Sequence, residues 1–287
     1  MPNLYLNGNI VPEDKALIPA NDRAVLFGDG AYETMRSYSG EFFHFSGHLR
    51  RLRLTLEGMS LELPVSDEEI TRGAHELIKA NECPDARVRL TVTGGLHDGQ
   101  IRLARSHPPN LIMTAVPLQP PPSAAVRDGV KVILSPWPVP THSPLPRIKT
   151  INRLMHLMAK EEAIRKGAWD TLFCDEERGI LEGTATNVFF VIDGVLRTSS
   201  LESPILAGVT RDLVLEEAKA GGLVVLEGPV PVDDAMTASE AFLTSTTIEL
   251  LPIREIDDRE IGRPGPVWQQ LQSRYHSAVE RELSGQS

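Results

Sequence analysis

The stretch PLQPPPSA, residues 117–124, places four prolines in eight positions. Proline fixes φ, lacks an amide hydrogen and pushes the residue before it out of the helical region. Neither a helix nor a central strand runs through such a segment. Whatever the chain forms, it forms on the two sides of this break. At 287 residues the chain is longer than one compact core usually organises. The break therefore reads as a linker, with an N-terminal domain over 1–116 and a C-terminal domain over 125–287.

On the N-terminal side, Asn7-Gly8 between short apolar runs predicts a two-residue hairpin. GAYETMRSYSGEFFHF reads as extended, and its alternation puts Tyr32, Thr34 and Arg36 on one face. Leu49, Leu52, Leu56 and Met59 recur at helical spacing. A second helix opens on the capping box Ser66 and Glu69 and buries Ile70, Ala74, Leu77 and Ile78. RVRLTV alternates again, with Arg87, Arg89 and Thr91 on its polar face. Beyond the linker come a strand at VKVILSPWPV and a helical stripe of Ile151, Leu154, Met155 and Met158. Strands follow with turns at Glu177 to Gly179 and Asp193-Gly194, then a helix ended by Gly221-Gly222. A last helix buries Trp268, Leu271, Tyr275 and Ala278. Strands and helices mix without a regular βαβ rhythm, so the expected class is α+β in two domains.

Composition excludes several functions. The formal charge of −10 speaks against nucleic acid as a partner, because phosphate binding wants a basic face. No apolar run approaches the roughly 20 residues that span a bilayer, so no membrane association is expected. The start MPNLYLNGN lacks the basic region and apolar core of a signal peptide. Cys83 and Cys174 lie far apart with no ligand spacing, so they read as reduced thiols of a cytoplasmic protein, and no metal is expected.

Chemistry concentrates in the C-terminal half. Lys149 sits between Ile148 and Ile151 in PRIKTINRL. Apolar surroundings disfavour its charged form, and a neutral amine is a nucleophile that forms a Schiff base with an aldehyde. Alone, such a lysine is more often one whose stem lies on the surface and whose head reaches water. Glu182, among strand formers in ILEGTATNVFF, needs a cationic or protonated partner if buried. A pyridinium nitrogen would serve; a solvated strand-edge glutamate is the other reading. In ILAGVTRDLV, Gly208 precedes a helix start near Thr210, so the amides of Val209 and Thr210 face an anion at the positive end of the helix. LTSTTIEL adds hydroxyls and amides at Thr244, Ser245, Thr246 and Thr247, and Arg51 in HLRRLRL offers a bidentate phosphate contact. Each of these also fits ordinary capping, turn or surface roles. Together they meet the needs of pyridoxal 5′-phosphate.

The chain resembles the class IV, fold-type IV, pyridoxal-phosphate aminotransferases, a family that includes branched-chain and D-amino acid aminotransferases and 4-amino-4-deoxychorismate lyase. The likeness runs nearly end to end through DRAVLFGDGAYETMR, the His48-x-x-Arg51-Leu52 step, IKTIN, LEGTATNVF, ILAGVTRD and LTSTTIEL. The resemblance implies that Lys149 is the Schiff-base lysine and Glu182 the partner of the pyridine nitrogen. It implies phosphate contacts from Arg51, from the amides of Val209 and Thr210, and from Thr246, with Leu206 packed behind the ring. It also implies a homodimer whose active site lies between the domains and borrows residues from the partner chain.

The expected activity is amino-group transfer between a small amino acid, leaning to the D series, and a 2-oxo acid. TVTGGLHDGQIRL lacks the Arg-x-His pair expected in D-amino acid enzymes, with Gly99 and Ile101 at about the corresponding positions. Arg36, Arg89 and, from a loop, His97 are the candidates to replace that carboxylate clamp, with Tyr32 beside Arg36; salt bridges elsewhere are the other role for the arginines. The lyase, a branched-chain L-amino acid aminotransferase, an (R)-amine transaminase and a protein that binds the cofactor without catalysis remain alternatives.

Overall fold

The computed structural model describes residues 1–140 and 142–285. Its residues divide into two compact units, Met1–Gln119 with Ile148–Asn152, and Pro120–Arg147 with Arg153 onward.

The first unit contains β1 (Asn3–Leu6), β2 (Asn9–Pro12), α1 (Arg23–Phe27), β3 (Gly30–Tyr38), β4 (Glu41–Phe42), α2 (Phe45–Gly58), α3 (Asp67–Ala80), β5 (Ala86–Thr93) and β6 (Leu111–Pro117). Asn7 and Gly8 both take positive φ, 48° and 92°, between the paired Leu6 and Asn9, as a tight hairpin turn requires. The strands form one antiparallel sheet in the order β2-β1-β6-β5-β3-β4. Its inner face carries Ala31, Met35, Val88, Leu90, Val92 and Met113, buried in one cluster with Leu49, Leu52, Leu56, Ile70, Ala74 and Leu77. The expected helical stripes and the capping box are all present. Strand alternation therefore leaves Tyr32, Thr34, Arg36 and Arg89 on the opposite face.

β4 pairs only with the end of β3, at Ser37 and Tyr38. The beginning of that edge is taken by residues 149–151. The Tyr32 amide donates to the Lys149 carbonyl at 2.9 Å, and the Ile151 amide donates to the Gly30 carbonyl at 2.9 Å, with Ala31 and Thr150 bridged between them. Gly30 makes this possible: a Cβ there would lie 2.5 Å from the Val92 carbonyl oxygen and 2.9 Å from Ile151 Cδ1. Ile148 packs against the inner cluster. The lysine segment thus belongs to the N-terminal unit, whereas the sequence placed it in the C-terminal domain. Long-range strand-edge pairing, invisible in the local pattern, decides the matter.

The second unit contains α4 (Ser123–Asp128), β7 (Val130–Leu134), α5 (Leu154–Arg165), β8 (Asp170–Asp175), β9 (Gly179–Gly183), β10 (Asn187–Ile192), β11 (Val195–Thr198), α6 (Val209–Ala220), β12 (Val225–Glu227), α7 (Val232–Ala235), β13 (Glu240–Ser245), β14 (Glu249–Ile256), β15 (Arg259–Glu260) and α8 (Pro266–Leu283). The strands form a mixed nine-stranded sheet in the order β12-β11-β10-β13-β14-β7-β8-β9, with β15 on β14. Two crossovers do occur, from β7 through α5 to the parallel neighbour β8 and from β11 through α6 to the parallel neighbour β12. The α5 stripe is a correction. Ile151 lies outside the helix, Leu154 and Met158 are exposed, and the buried residues are Ala159 and Ala163. Because residues 149–151 are extended on β3, the helix starts later and turns small residues inward. Met155 does pack against a cluster of Val139, Phe173, Leu181 and Ile205. Among the described residues no helix is long and apolar enough to cross a membrane.

Candidate active site

In the N-terminal unit, the outer face of the sheet brings three of the expected residues together. Thr34 is paired with Arg89 and Tyr32 with Thr91, so Arg89 lies diagonally across from Tyr32. The Arg89 guanidinium carbon sits 3.9 Å from the centroid of the Tyr32 ring, and Lys149 Nζ sits 4.9 Å from the same centroid. Two cationic side chains therefore share one aromatic ring. The Lys149 amide also donates to Thr55 Oγ1 at 3.3 Å, which ties its backbone to α2.

Arg36 is set apart from this group. It is four residues along β3 from Tyr32, about 13 Å at strand spacing, and its guanidinium stacks on Tyr38 at 4.2 Å. His97 is not brought to Tyr32 either. Its ring meets Phe27 edge-on at 5.0 Å, and its Nδ1 is buried with no hydrogen-bond partner. Gly99 is exposed and Ile101 is 93% exposed.

Behind Tyr32, on the inner face, lies a group that the sequence did not disclose. Glu33 is fully buried. Arg51 meets it as a fork, Nε on Oε1 at 2.7 Å and Nη2 on Oε2 at 2.7 Å, while His48 Nδ1 is 2.9 Å from Oε2. His48 and Arg51 are three residues apart on α2, hence on one helix face. Burial opposes ionisation of Glu33, yet the charge and hydrogen bonds of Arg51, with that of His48, outweigh it and hold the carboxyl well below the ordinary carboxylate range. An ionised Glu33 only accepts, so the His48 hydrogen sits on Nδ1. Burial also pushes the His48 pKa down against the pull of Glu33, and the charges of Arg51 and Lys149 push the same way. Alternation did put Glu33 on the core face, and that was the one available signal.

In the C-terminal unit, Glu182 near the end of β9 accepts from the Leu206 amide at 3.0 Å and from Asn187 Nδ2 at 3.3 Å, both on Oε2. Asn187 Nδ2 also donates to the Leu206 carbonyl at 3.1 Å. Two residues on, α6 begins after Gly208, which supplies no side-chain cap. The amides of Val209 and Thr210 occupy its first turn, where no intrahelical acceptor exists. A Cβ at Gly208 would lie 1.9 Å from Asn187 Oδ1, so only glycine lets the helix start approach the side chain that steadies Glu182. Asn187 is paired across the sheet with Thr244, whose buried Oγ1 has no hydrogen-bond partner. Ser245 ends β13, and Thr246 lies in the turn that follows. Glu182, Leu206, Val209 and Thr210 are thus brought together here, with the end of β13 alongside. Asn187 joins them, although no local pattern pointed to a role for it, and Thr244, one of the hydroxyls the sequence offered to an anion, is its cross-strand partner.

Residues 30–256 match the family described as amino-transferase class IV. A Methanocaldococcus jannaschii protein provisionally named a branched-chain-amino-acid aminotransferase is 33% identical over 275 residues, covering 95% of this chain and 94% of that one. A D-alanine aminotransferase of Listeria monocytogenes is 30% identical over 287 residues, covering 97% and 96%. The T.th. branched-chain amino acid aminotransferase solved with pyridoxamine 5′-phosphate superposes with a TM-score of 0.89 at 27% identity, covering 98% of this chain and 95% of that one. The chain belongs to the class IV aminotransferases. It is a pyridoxal-phosphate-dependent enzyme that acts on amino acids and 2-oxo acids.

The residues present fit that cofactor. An uncapped helix start and a glycine cradle suit a phosphate, a carboxylate held by two donors suits a ring N–H, and a lysine amine beside an aromatic face suits an aldehyde.

Proposed function

We propose that the chain moves an amino group between a small D-amino acid and a 2-oxo acid, with the substrate carboxylate held by Arg89 beside Tyr32. The observation that carries this reading is the shared Tyr32 ring, with the Arg89 guanidinium at 3.9 Å and the Lys149 amine at 4.9 Å. An amino acid carries its amine and its carboxylate on one carbon. A nucleophilic amine and a bidentate anion binder at one ring match that pair of groups. Arg36, stacked on Tyr38, and His97, turned to Phe27, leave this task to Arg89.

When bound, pyridoxal phosphate supplies an aldehyde for an amine and a protonated ring that draws electrons from the bond being broken. Lys149 would provide the amine that meets the aldehyde and would serve as the base for the proton on the substrate Cα. Glu182, oriented by the Leu206 amide and Asn187, would keep the ring nitrogen protonated. The amides of Val209 and Thr210, with Ser245 and Thr246, would hold the phosphate, Arg51 would add a contact to it, and Leu206 would lie behind the ring. The working unit in this reading is a homodimer, which sedimentation velocity checks.

The D hand rests on the likeness of LEGTATNVF and LTSTTIEL to D-amino acid aminotransferases. The likeness to branched-chain enzymes favours a second reading, L-leucine and its relatives as donors on the same residues. Spectra of the holoprotein mixed separately with D-alanine, L-leucine, (R)-1-phenylethylamine and aminodeoxychorismate separate the branches. D-alanine is expected to bleach the cofactor band, and bleaching by L-leucine alone would replace the D reading with the branched-chain one. Arg89→Ala is expected to raise KM for amino acids at least tenfold, one charge-assisted contact, and to leave the simple amine unaffected. An equal rise for both donors removes Arg89 from the carboxylate.

A further inference from the structure

Asp170 is a buried carboxylate to which the chemistry above gives no part. It opens β8 at 2% exposure, and among the described residues it makes no ion pair. A carboxylate removed from water is costly unless hydrogen bonds replace its hydration. Four do so here. Oδ1 accepts from the Thr171 amide at 2.9 Å, from the Thr184 amide at 3.4 Å and from the Thr184 hydroxyl at 2.5 Å. Oδ2 accepts from the Thr186 hydroxyl at 3.0 Å. Three of these donors belong to Thr184 and Thr186, in the connection between β9 and β10. That connection is tightly folded. The Gly183 amide donates to the Thr186 carbonyl at 2.8 Å, and a Cβ at Gly183 would lie 2.1 Å from Thr186 Oγ1 and 2.7 Å from Asp170 Oδ2. The Thr184 carbonyl also accepts from the Arg153 guanidinium. Glu182 stands just before this turn and Asn187 just after it, and the two side chains meet at Glu182 Oε2, 3.3 Å from Asn187 Nδ2. How closely they meet depends on the turn between them, and the turn is gathered onto Asp170.

We infer that Asp170 is a positioning residue for the Glu182–Asn187 pair: by holding Thr184 and Thr186 it fixes the turn that brings the Asn187 carboxamide onto the Glu182 carboxylate. What this does for the cofactor, an oriented acceptor at the ring nitrogen, rests on the reading of Glu182 as the partner of that nitrogen. Asp170 acts only through these two residues.

The test is calorimetric titration of the apoprotein with pyridoxal 5′-phosphate and with its analogue carrying carbon in place of the ring nitrogen. The two ligands share aldehyde and phosphate and differ only where Glu182 would act. Asp170→Ala is expected to weaken pyridoxal phosphate about tenfold, equivalent to one hydrogen bond to a charged group, and to leave the analogue at its wild-type affinity. Asp170→Asn keeps an acceptor for the two amides and offers a donor that the Thr186 hydroxyl can accept, so it is expected to restore the wild-type values. Where Asp170→Ala fails to fold, Thr186→Val removes the donor on Oδ2 alone and is read in the same way. In a Glu182→Gln background Asp170→Ala is expected to have no further effect on pyridoxal phosphate. An equal loss for both ligands, no recovery with Asp170→Asn, or an undiminished effect without the Glu182 carboxylate overturns the positioning role. Should Glu182→Gln alone affect pyridoxal phosphate and the analogue equally, the reading of Glu182 falls and takes the inference with it; should Glu182→Gln separate the two ligands and Asp170→Ala not, Asp170 alone loses its role.

Discussion

Gly208→Ala tests the C-terminal part of the site with one methyl group. Gly208 has φ −77° and ψ 128°, a conformation open to any residue, so the substitution brings no backbone strain. Its whole effect comes from the added carbon, which would lie 1.9 Å from Asn187 Oδ1 and 3.2 Å from Arg211 Cβ. Asn187 is buried in the sheet and must swing its carboxamide away, which takes Nδ2 from Glu182 and from the Leu206 carbonyl. One lost hydrogen bond to a charged acceptor and one to a neutral acceptor together cost about 2 kcal/mol. Alanine is also a poorer residue than glycine at a helix N-cap. If these groups hold the cofactor, its affinity falls about thirtyfold. Titration of the apoprotein with pyridoxal phosphate measures this directly. Gly228→Ala, where a Cβ meets nothing within 4 Å, serves as the control. Equal affinities for the two variants would refute the cradle.

Lys149→Ala is expected to remove the visible absorption of the holoprotein and all turnover while leaving the melting temperature of the apoprotein within a few degrees; residual turnover takes the lysine out of the chemistry. Acidification should lower stability. The native His48 pKa is below its ordinary 6.5, so its contribution is complete above that pH and is lost as pH falls through the depressed native value. Glu33, depressed from 4.5, adds a second loss at lower pH. Melting temperatures measured from pH 8 to 5 should fall on the acid side, less steeply for His48→Gln, and a rise on acidification contradicts the assignment. Burial, with Asp257 adding to it, pushes the Cys174 thiol up to about 12, and burial raises that of Cys83. Iodoacetamide at pH 8 should label both only after denaturation; rapid labelling of the native protein, read by mass spectrometry, refutes this.

Local signals were legible where local physics decides. The Asn7-Gly8 turn needs two positive φ values, and Ser66 with Glu69 satisfies its own helix start. Alternation over Tyr32 to Arg36 sorted outer from inner residues because one face of β3 is buried. The grouping of Glu182 with the α6 start came from the chemistry their motifs offer together, and Leu206 entered only through the family resemblance; the Leu206 amide does meet Glu182. What failed was non-local. Residues 149–151 add to the edge of β3 through backbone groups, which carry no side-chain pattern, and that one pairing also moved the start and face of α5. Glu33 was hidden because a charge on a core face looks like an exception until its partners are seen on α2. Arg36 and Arg89 look alike in an alternating pattern, and only strand register separates them by distance from Tyr32.

Because residues 148–152 belong with the N-terminal unit while both flanks belong with the other, the polypeptide passes from one unit to the other three times. A protease nick in the proline-rich stretch would sever one of three covalent tethers and leave the halves joined. A fragment starting at Pro120 would carry Lys149 without the strand its backbone docks on, so reassembly from two separately made pieces demands that this segment find β3 in trans.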